Sequence, residues 1–181
     1  MEDLPNGLLQ LNSFHPKAAE GEFLKCCGSK NWARAMSEHV PFRDVSDLLE
    51  TAKSVWWSLS VGDWLEAFRS HPKIGAQKPA AQVSSESLSW SSKEQAGVSK
   101  ASADTKNLLA ELNRSYEEKF GFIYIVCATG KSSDELLAIL QGRLGHDSET
   151  ELQIAAREQA QITELRLNKL LDRLAEHRQE T

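Results

Sequence analysis

One stretch limits the folds open to this chain. GFIYIVCATG, from Gly121 to Gly130, is its only strongly β-like run. A strand with no second strand to pair with cannot form a sheet. The run is therefore expected to be a buried extended segment, or the start of a helix, within an all-α fold. The other patterned segments support that class. DVSDLLETAKSVWWSL puts Val45, Leu48, Leu49, Ala52, Val55, Trp56 and Leu59 on one face at helical spacing. HPKAAEGEFLKCCG has Pro16 near a first turn and Gly28 as a stop. DWLEAFRSH has Asp63 as a candidate N-cap and turns Leu65 and Phe68 inward, and Pro72 ends it.

Further along, SADTKNLLAELNRSYEEKF reads as a helix carrying Leu108, Leu109, Leu112 and Tyr116. Ser132 with Glu135, and Ser148 with Glu151, have the spacing of a capping box. They would open one helix at SSDELLAILQGRLG and a long charged helix at the C-terminal end. The segment AQKPAAQVSSESLSW, Ala76 to Trp90, is rich in Ser, Ala and Gln and is expected to be a surface loop or short turns. SSKEQAGVSK then reads as a new helix start. No internal repeat is visible. The expectation is a single compact multi-helix domain over residues 1–181.

Composition removes several functions. A chain of 181 residues can bury a real core. Its net charge of -5 lacks the basic footprint of a nucleic-acid binder. No apolar run approaches a membrane span. The start, MEDLPNGLLQL, is acidic and lacks the apolar region of a secretory signal. Cys26, Cys27 and Cys127 are an odd count, read as reduced thiols of an intracellular protein. None of the five histidines has a zinc-ligand spacing, so no metal site is expected. The last helix runs on without a Gly or Pro stop. That fits a domain cut from a longer chain as well as it fits an ordinary terminus.

A few residues have chemistry worth weighing. His71 ends a helix and Pro72 locks the backbone behind it. An imidazolium there complements the helix dipole, which is the plain explanation. The other is that a rigid corner presents a group able to transfer protons near neutrality. Ser91 and Glu94 again match a capping box. With Gln95 they also share one helical face, where a hydroxyl, a carboxylate and an amide could bind a urea-like ligand. Arg166 follows Leu152, Ala155, Gln159 and Ile162 on a largely apolar stripe. It is either in a structural ion pair or snorkelling at the stripe's edge, or it binds an anion. Trp56, Trp57 and Trp64 read as packing residues. Cys127, in an apolar run, reads as an inert buried thiol.

In order along the chain, HPKIG, SSKEQAG, LNRSYEEKFGFIYIVCATGKS, ELLAILQGRLGHDSETELQIAAREQ and ITELRLNKLL resemble one known family. It is the 2-oxo-4-hydroxy-4-carboxy-5-ureidoimidazoline (OHCU) decarboxylases of urate degradation. The resemblance runs from Leu9 to Leu174, and HPKIG and ITELRL look most like the plant version. There the domain precedes a transthyretin-like domain, so a longer natural chain is expected.

The resemblance implies an all-helical fold, commonly a homodimer. It also implies conversion of OHCU to (S)-allantoin and CO2 without a metal or organic cofactor, in a peroxisomal setting. The family's catalytic His falls on His71 and the adjoining Pro on Pro72. One binding segment falls on Ser91, Ser92, Lys93, Glu94 and Gln95, with Glu94 a second catalytic candidate. Another falls on Tyr124, Ile125, Val126, Cys127 and Ala128, largely through backbone groups. The family's late Arg falls on Arg166. Two departures stand out: Ile123 where many members have Pro, and a divergent Ser-rich loop between His71 and Ser91. The competing expectations are a degenerate helical module that dimerises or scaffolds, and a lyase acting on a related ureido compound.

Overall fold

The chain folds into helices wherever an apolar stripe and a start signal coincide. In the computed structural model, residues 4–74, 84–99 and 101–179 are described. They form ten helices and no strand: α1 (Asn6–Asn12), α2 (Pro16–Cys27), α3 (Lys30–Glu38), α4 (Val45–Ser58), α5 (Val61–Arg69), α6 (Ser85–Glu94), α7 (Ala96–Ser99), α8 (Ala103–Phe120), α9 (Ser133–Arg143) and α10 (Ser148–Gln179). The described chain divides into two compact units, Met1–Trp64 with Ala160–Thr181, and Leu65–Gln159.

The first unit is held by aromatic packing and by backbone contact at a glycine. Pro16 opens α2, and Gly28 ends it with φ 84°, a left-handed conformation that costs glycine nothing. Phe23 meets the rings of Trp32 and Phe42 edge-on at 6.0 and 6.1 Å. The Trp32 indole N–H donates to the Ala52 carbonyl at 3.1 Å, so α3 and α4 are tied through a buried donor. Leu48, Ala52, Val55 and Trp56 are the buried stripe of α4. At Gly7 in α1, a Cβ would lie 1.9 Å from the Leu171 carbonyl oxygen of α10. Only a residue without a side chain permits that approach.

The second unit packs α8 and α9 against each other and encloses the β-like run. Residues 123–128 are neither helix nor turn, and Tyr124 to Ala128 are buried. The run is therefore the buried non-helical segment expected from its lack of a partner strand. Gly121, with φ 78°, ends α8 and releases the chain into it. At its far end Ser132 and Glu135 cap α9 reciprocally, as their spacing predicts. The hydrogen bonds from Ser132 hold the Glu135 carboxyl below its usual pKa.

Several expectations are corrected. Residues 85–90 are helix, not loop, and SSKEQ ends α6 instead of starting a helix. Ser84 caps α6 by accepting from the Ser87 N–H at 3.1 Å. Ser87, Trp90 and Ser91 form its buried face, because small hydroxyl side chains can line a packed surface. Residues 76–83 of the expected loop lie outside the described residues. Asp63 is not an N-cap but lies inside α5, where its carboxylate reaches back to the Ser60 N–H at 3.1 Å. That bond and the Ser60 hydroxyl hold its pKa below the usual carboxylate value. α8 forms as its sequence implies, with Leu109, Asn113 and Tyr116 on its buried face and Leu108 exposed. At α10 the cap is Asp147, which accepts from the Thr150 N–H at 2.8 Å. Glu151 is fully buried and serves another purpose.

Gly7→Ala is expected to destabilise the protein by about 1–3 kcal/mol, because the added methyl drives α1 off α10. Gly21→Ala, in α2 with nothing within 4 Å of its would-be Cβ, is expected to stabilise by about 0.5–1 kcal/mol. Thermal unfolding of the two variants should therefore shift in opposite directions.

Candidate functional site

His71 sits just beyond the last turn of α5, its N–H donating to the Phe68 carbonyl at 3.1 Å. It is 9% exposed. Its corner is fixed from two directions within the second unit. Phe68 packs on Phe122, ring centroids 5.5 Å apart, so the end of α5 meets the start of the non-helical run. On the other side of Pro72, the Asn113 amide of α8 donates to the Ile74 carbonyl at 3.3 Å. Lys73 pairs with Glu117 of α8 at 2.5 Å, on the surface. The HPKI turn is thus held in place by α8 and by Phe122.

The second candidate segment closes α6. The Gln95 N–H donates to the Ser91 carbonyl at 3.0 Å, so Ser91, Glu94 and Gln95 share a face as their spacing implies. Ser91 is buried, Glu94 and Gln95 are half-buried, and Ser92 and Lys93 are exposed. One close approach fixes where this segment lies. At Gly97 in α7 a Cβ would fall 2.3 Å from the Lys131 carbonyl oxygen. The turn after Glu94 therefore rests against the chain that leaves residues 124–128. The Glu94 charge makes a minor contribution, beside that of burial, to raising the Cys127 thiol.

The run itself is gripped by charged side chains. Arg143 of α9 donates from a guanidinium nitrogen to the Ile125 carbonyl at 2.7 Å. The Cys127 N–H donates to a Glu158 carboxylate oxygen of α10 at 2.7 Å. The Lys131 ammonium donates to the Cys127 carbonyl at 2.6 Å. The Tyr124 hydroxyl donates to the Leu136 carbonyl at 3.2 Å. Among the described residues, neither the Val126 N–H nor its carbonyl has a hydrogen-bond partner.

Behind the run lies a buried ionic cluster. Arg143 pairs with Glu151, which is fully buried, and the Tyr116 hydroxyl donates to the same carboxylate. His146 Nδ1 lies 2.8 Å from the other Glu151 oxygen. Burial works against the Arg143 charge, but the Glu151 carboxylate outweighs it and holds the guanidinium firmly protonated. Burial raises the Tyr116 and Tyr124 phenols well above their ordinary pKa, so both remain neutral donors. Burial also raises the Cys127 thiol, with the Glu158 carboxylate adding to the effect, so this thiol is a poor nucleophile.

The sequence reading missed Arg143, Glu151, Glu158 and Lys131. A signal for two of them exists: Glu151, Ala155 and Glu158 follow helical steps of four and three, placing two carboxylates on one stripe of α10. Arg166 is buried on α10 with Ile162, Thr163, Leu167 and Leu170, as its stripe implied, in the part of that helix belonging to the first unit. Among the described residues, no group of three or more His, Cys, Asp or Glu is placed to hold a metal ion.

Comparison with known proteins gives a consistent result. Residues 12–168 match the sequence profile described as OHCU decarboxylase. The chain is 41% identical over 153 residues to the uric acid degradation bifunctional protein TTL of Arabidopsis thaliana, covering 83% of this chain and 47% of that protein. It thus spans about half the length of that relative. It is 30% identical over 146 residues to the 2-oxo-4-hydroxy-4-carboxy-5-ureidoimidazoline decarboxylase of Amia calva, covering 80% of this chain and 82% of that one. A crystal structure of OHCU decarboxylase in the presence of (S)-allantoin superposes with a TM-score of 0.71 at 39% identity, over 83% of this chain and 97% of that chain.

Removing one member of the buried pair should be severe. Glu151→Leu leaves Arg143 buried and uncompensated and is expected to cost about 3–5 kcal/mol. The double variant Arg143→Leu with Glu151→Leu should recover part of that loss. Urea denaturation of the two single variants and the double closes the cycle.

Proposed function

Because the chain belongs to the OHCU decarboxylase family, we propose that it removes CO2 from OHCU and yields (S)-allantoin in urate degradation. The observation that carries this reading is the match of residues 12–168 to the OHCU decarboxylase profile, together with a buried backbone run that charged side chains grip at Ile125 and Cys127. OHCU and allantoin are rich in amide groups, and a fixed backbone N–H and C=O are matched to such groups. The hydroxyl, carboxylate and amide of Ser91, Glu94 and Gln95 adjoin that run through the Gly97 contact. They suit the ureido portion of the same ligand.

In this reading the ligand is oriented by the 124–128 backbone, Ser91 and Gln95. The bond to the carboxylate breaks, CO2 departs, and the electron pair left on carbon passes into the adjacent ring imine. One proton is taken up overall to give neutral allantoin. His71 is the proton-transfer residue. Its corner, fixed by Phe68, Pro72 and the α8 contacts, gives the rigidity such a role needs. Glu94 orients the imidazole or accepts ureido N–H groups. Neither step calls for a metal or an organic cofactor.

The test uses OHCU generated freshly from urate by urate oxidase and a 5-hydroxyisourate hydrolase, with circular dichroism following the product. The wild-type chain is expected to accelerate formation of (S)-allantoin. His71→Asn is expected to lower kcat by on the order of 10²–10⁴-fold. Turnover of that variant within a few-fold of wild type would remove His71 from the centre of the reaction. No acceleration by folded wild-type protein would favour a scaffolding module instead.

A further inference from the structure

The grip on the non-helical run has a pattern. Three of its bonds fall on alternate residues: the Ile125 carbonyl, the Cys127 N–H and the Cys127 carbonyl. The backbone groups of Ile125 and Cys127 are thus taken by Arg143, Glu158 and Lys131. Val126 lies between these two gripped residues, and the Ala128 carbonyl is taken by the Lys131 N–H at 3.0 Å.

Cys127 is held at both ends by charged groups, a carboxylate on its N–H and an ammonium on its carbonyl. Such bonds are shorter and stronger than neutral ones. A neutral side chain would satisfy the same groups, so the choice of charge increases the rigidity of this one residue. At Gly97 the turn after Ser91, Glu94 and Gln95 meets the Lys131 carbonyl, so the Lys131 end of the clamp lies beside the other candidate segment.

We propose that Glu158 and Lys131 are positioning residues of the ligand site. By clamping Cys127 through its N–H and C=O, they fix the run and hold its backbone in place for an amide-bearing ligand. This rests on reading residues 124–128 as the ligand-binding backbone. Neither side chain touches the reacting atoms. Their effect is to remove the freedom the run would otherwise lose on binding, which is where a preorganised backbone gains affinity.

The experiment compares wild type with Glu158→Ala, Glu158→Gln and Lys131→Met in three readouts. These are amide hydrogen exchange at Val126 and Cys127, calorimetric binding of (S)-allantoin, and steady-state decarboxylation. In Glu158→Ala, faster exchange at Cys127 is expected, with a rise of on the order of tenfold in the allantoin Kd. KM should rise more than kcat falls. Glu158→Gln, whose carboxamide oxygen can still accept the Cys127 N–H, should restore most of both. Lys131→Met should weaken binding in the same direction, and it carries the comparison with Glu158→Gln if the alanine variant does not fold.

Wild-type allantoin affinity in Glu158→Ala would overturn the proposal. So would a Gln variant no better than the Ala variant. If wild type itself neither turns over OHCU nor binds (S)-allantoin, the decarboxylase reading fails. Unchanged Cys127 exchange in Glu158→Ala would still, separately, sink the clamp.

Discussion

The second unit depends on the ion pair between Arg143 and Glu151. A non-helical run can be buried only if its backbone groups find partners, since each unsatisfied one costs free energy comparable to a lost hydrogen bond. Helices satisfy themselves, and a lone extended run does not. Arg143 supplies a donor to the Ile125 carbonyl from within the core. It can stay charged there because Glu151, with no exposed surface, neutralises it and the Tyr116 hydroxyl completes the carboxylate's shell. The guanidinium also lies over the Tyr124 ring, 5.0 Å from its centroid. One charged side chain therefore satisfies a carbonyl of the run, lies over one of its rings and ties it to α9.

Close backbone approach is the second constraint. Gly97 lets the turn after α6 come within contact of the Lys131 carbonyl, and Gly7 does the same for α1 against α10. The first of these bears on the proposed site. It brings the segment carrying Ser91, Glu94 and Gln95 beside the end of the 124–128 run. In the proposed reaction these groups orient a ligand, and the barrier is lowered by fixed dipoles and one proton-transfer group.

The thiol and the phenols show how burial sorts reactive side chains into structural roles. Cys127 lies in the run proposed to bind the ligand, and burial, with the Glu158 carboxylate adding to it, pushes its thiol above the usual pKa. Tyr116 and Tyr124 are likewise held neutral, each spending its hydroxyl on a buried acceptor. His71, at a rigid corner of the same unit, is the side chain suited to move a proton near neutrality.

By itself, the sequence determined the helical class, that GFIYIVCATG belongs to no sheet, and the end signals at Pro16, Gly28 and Ser132. These follow from local rules: a strand needs a partner, a proline suits a first turn, and a hydroxyl satisfies an orphan N–H. It also determined the faces, so that Ser91, Glu94 and Gln95 share one side of a turn and Arg166 falls on a buried stripe. Only the tertiary structure decided what depends on distant neighbours. SSESLSW became helix because Ser87, Trp90 and Ser91 found a surface to bury against, which composition does not reveal. Glu151 had the spacing of a cap but became the counter-ion of Arg143, because Asp147 was free to cap α10. The partners of Ile125 and Cys127 come from Arg143, Lys131 and Glu158, up to 31 residues away in sequence. No local pattern states those pairings, because they are set by where whole helices pack.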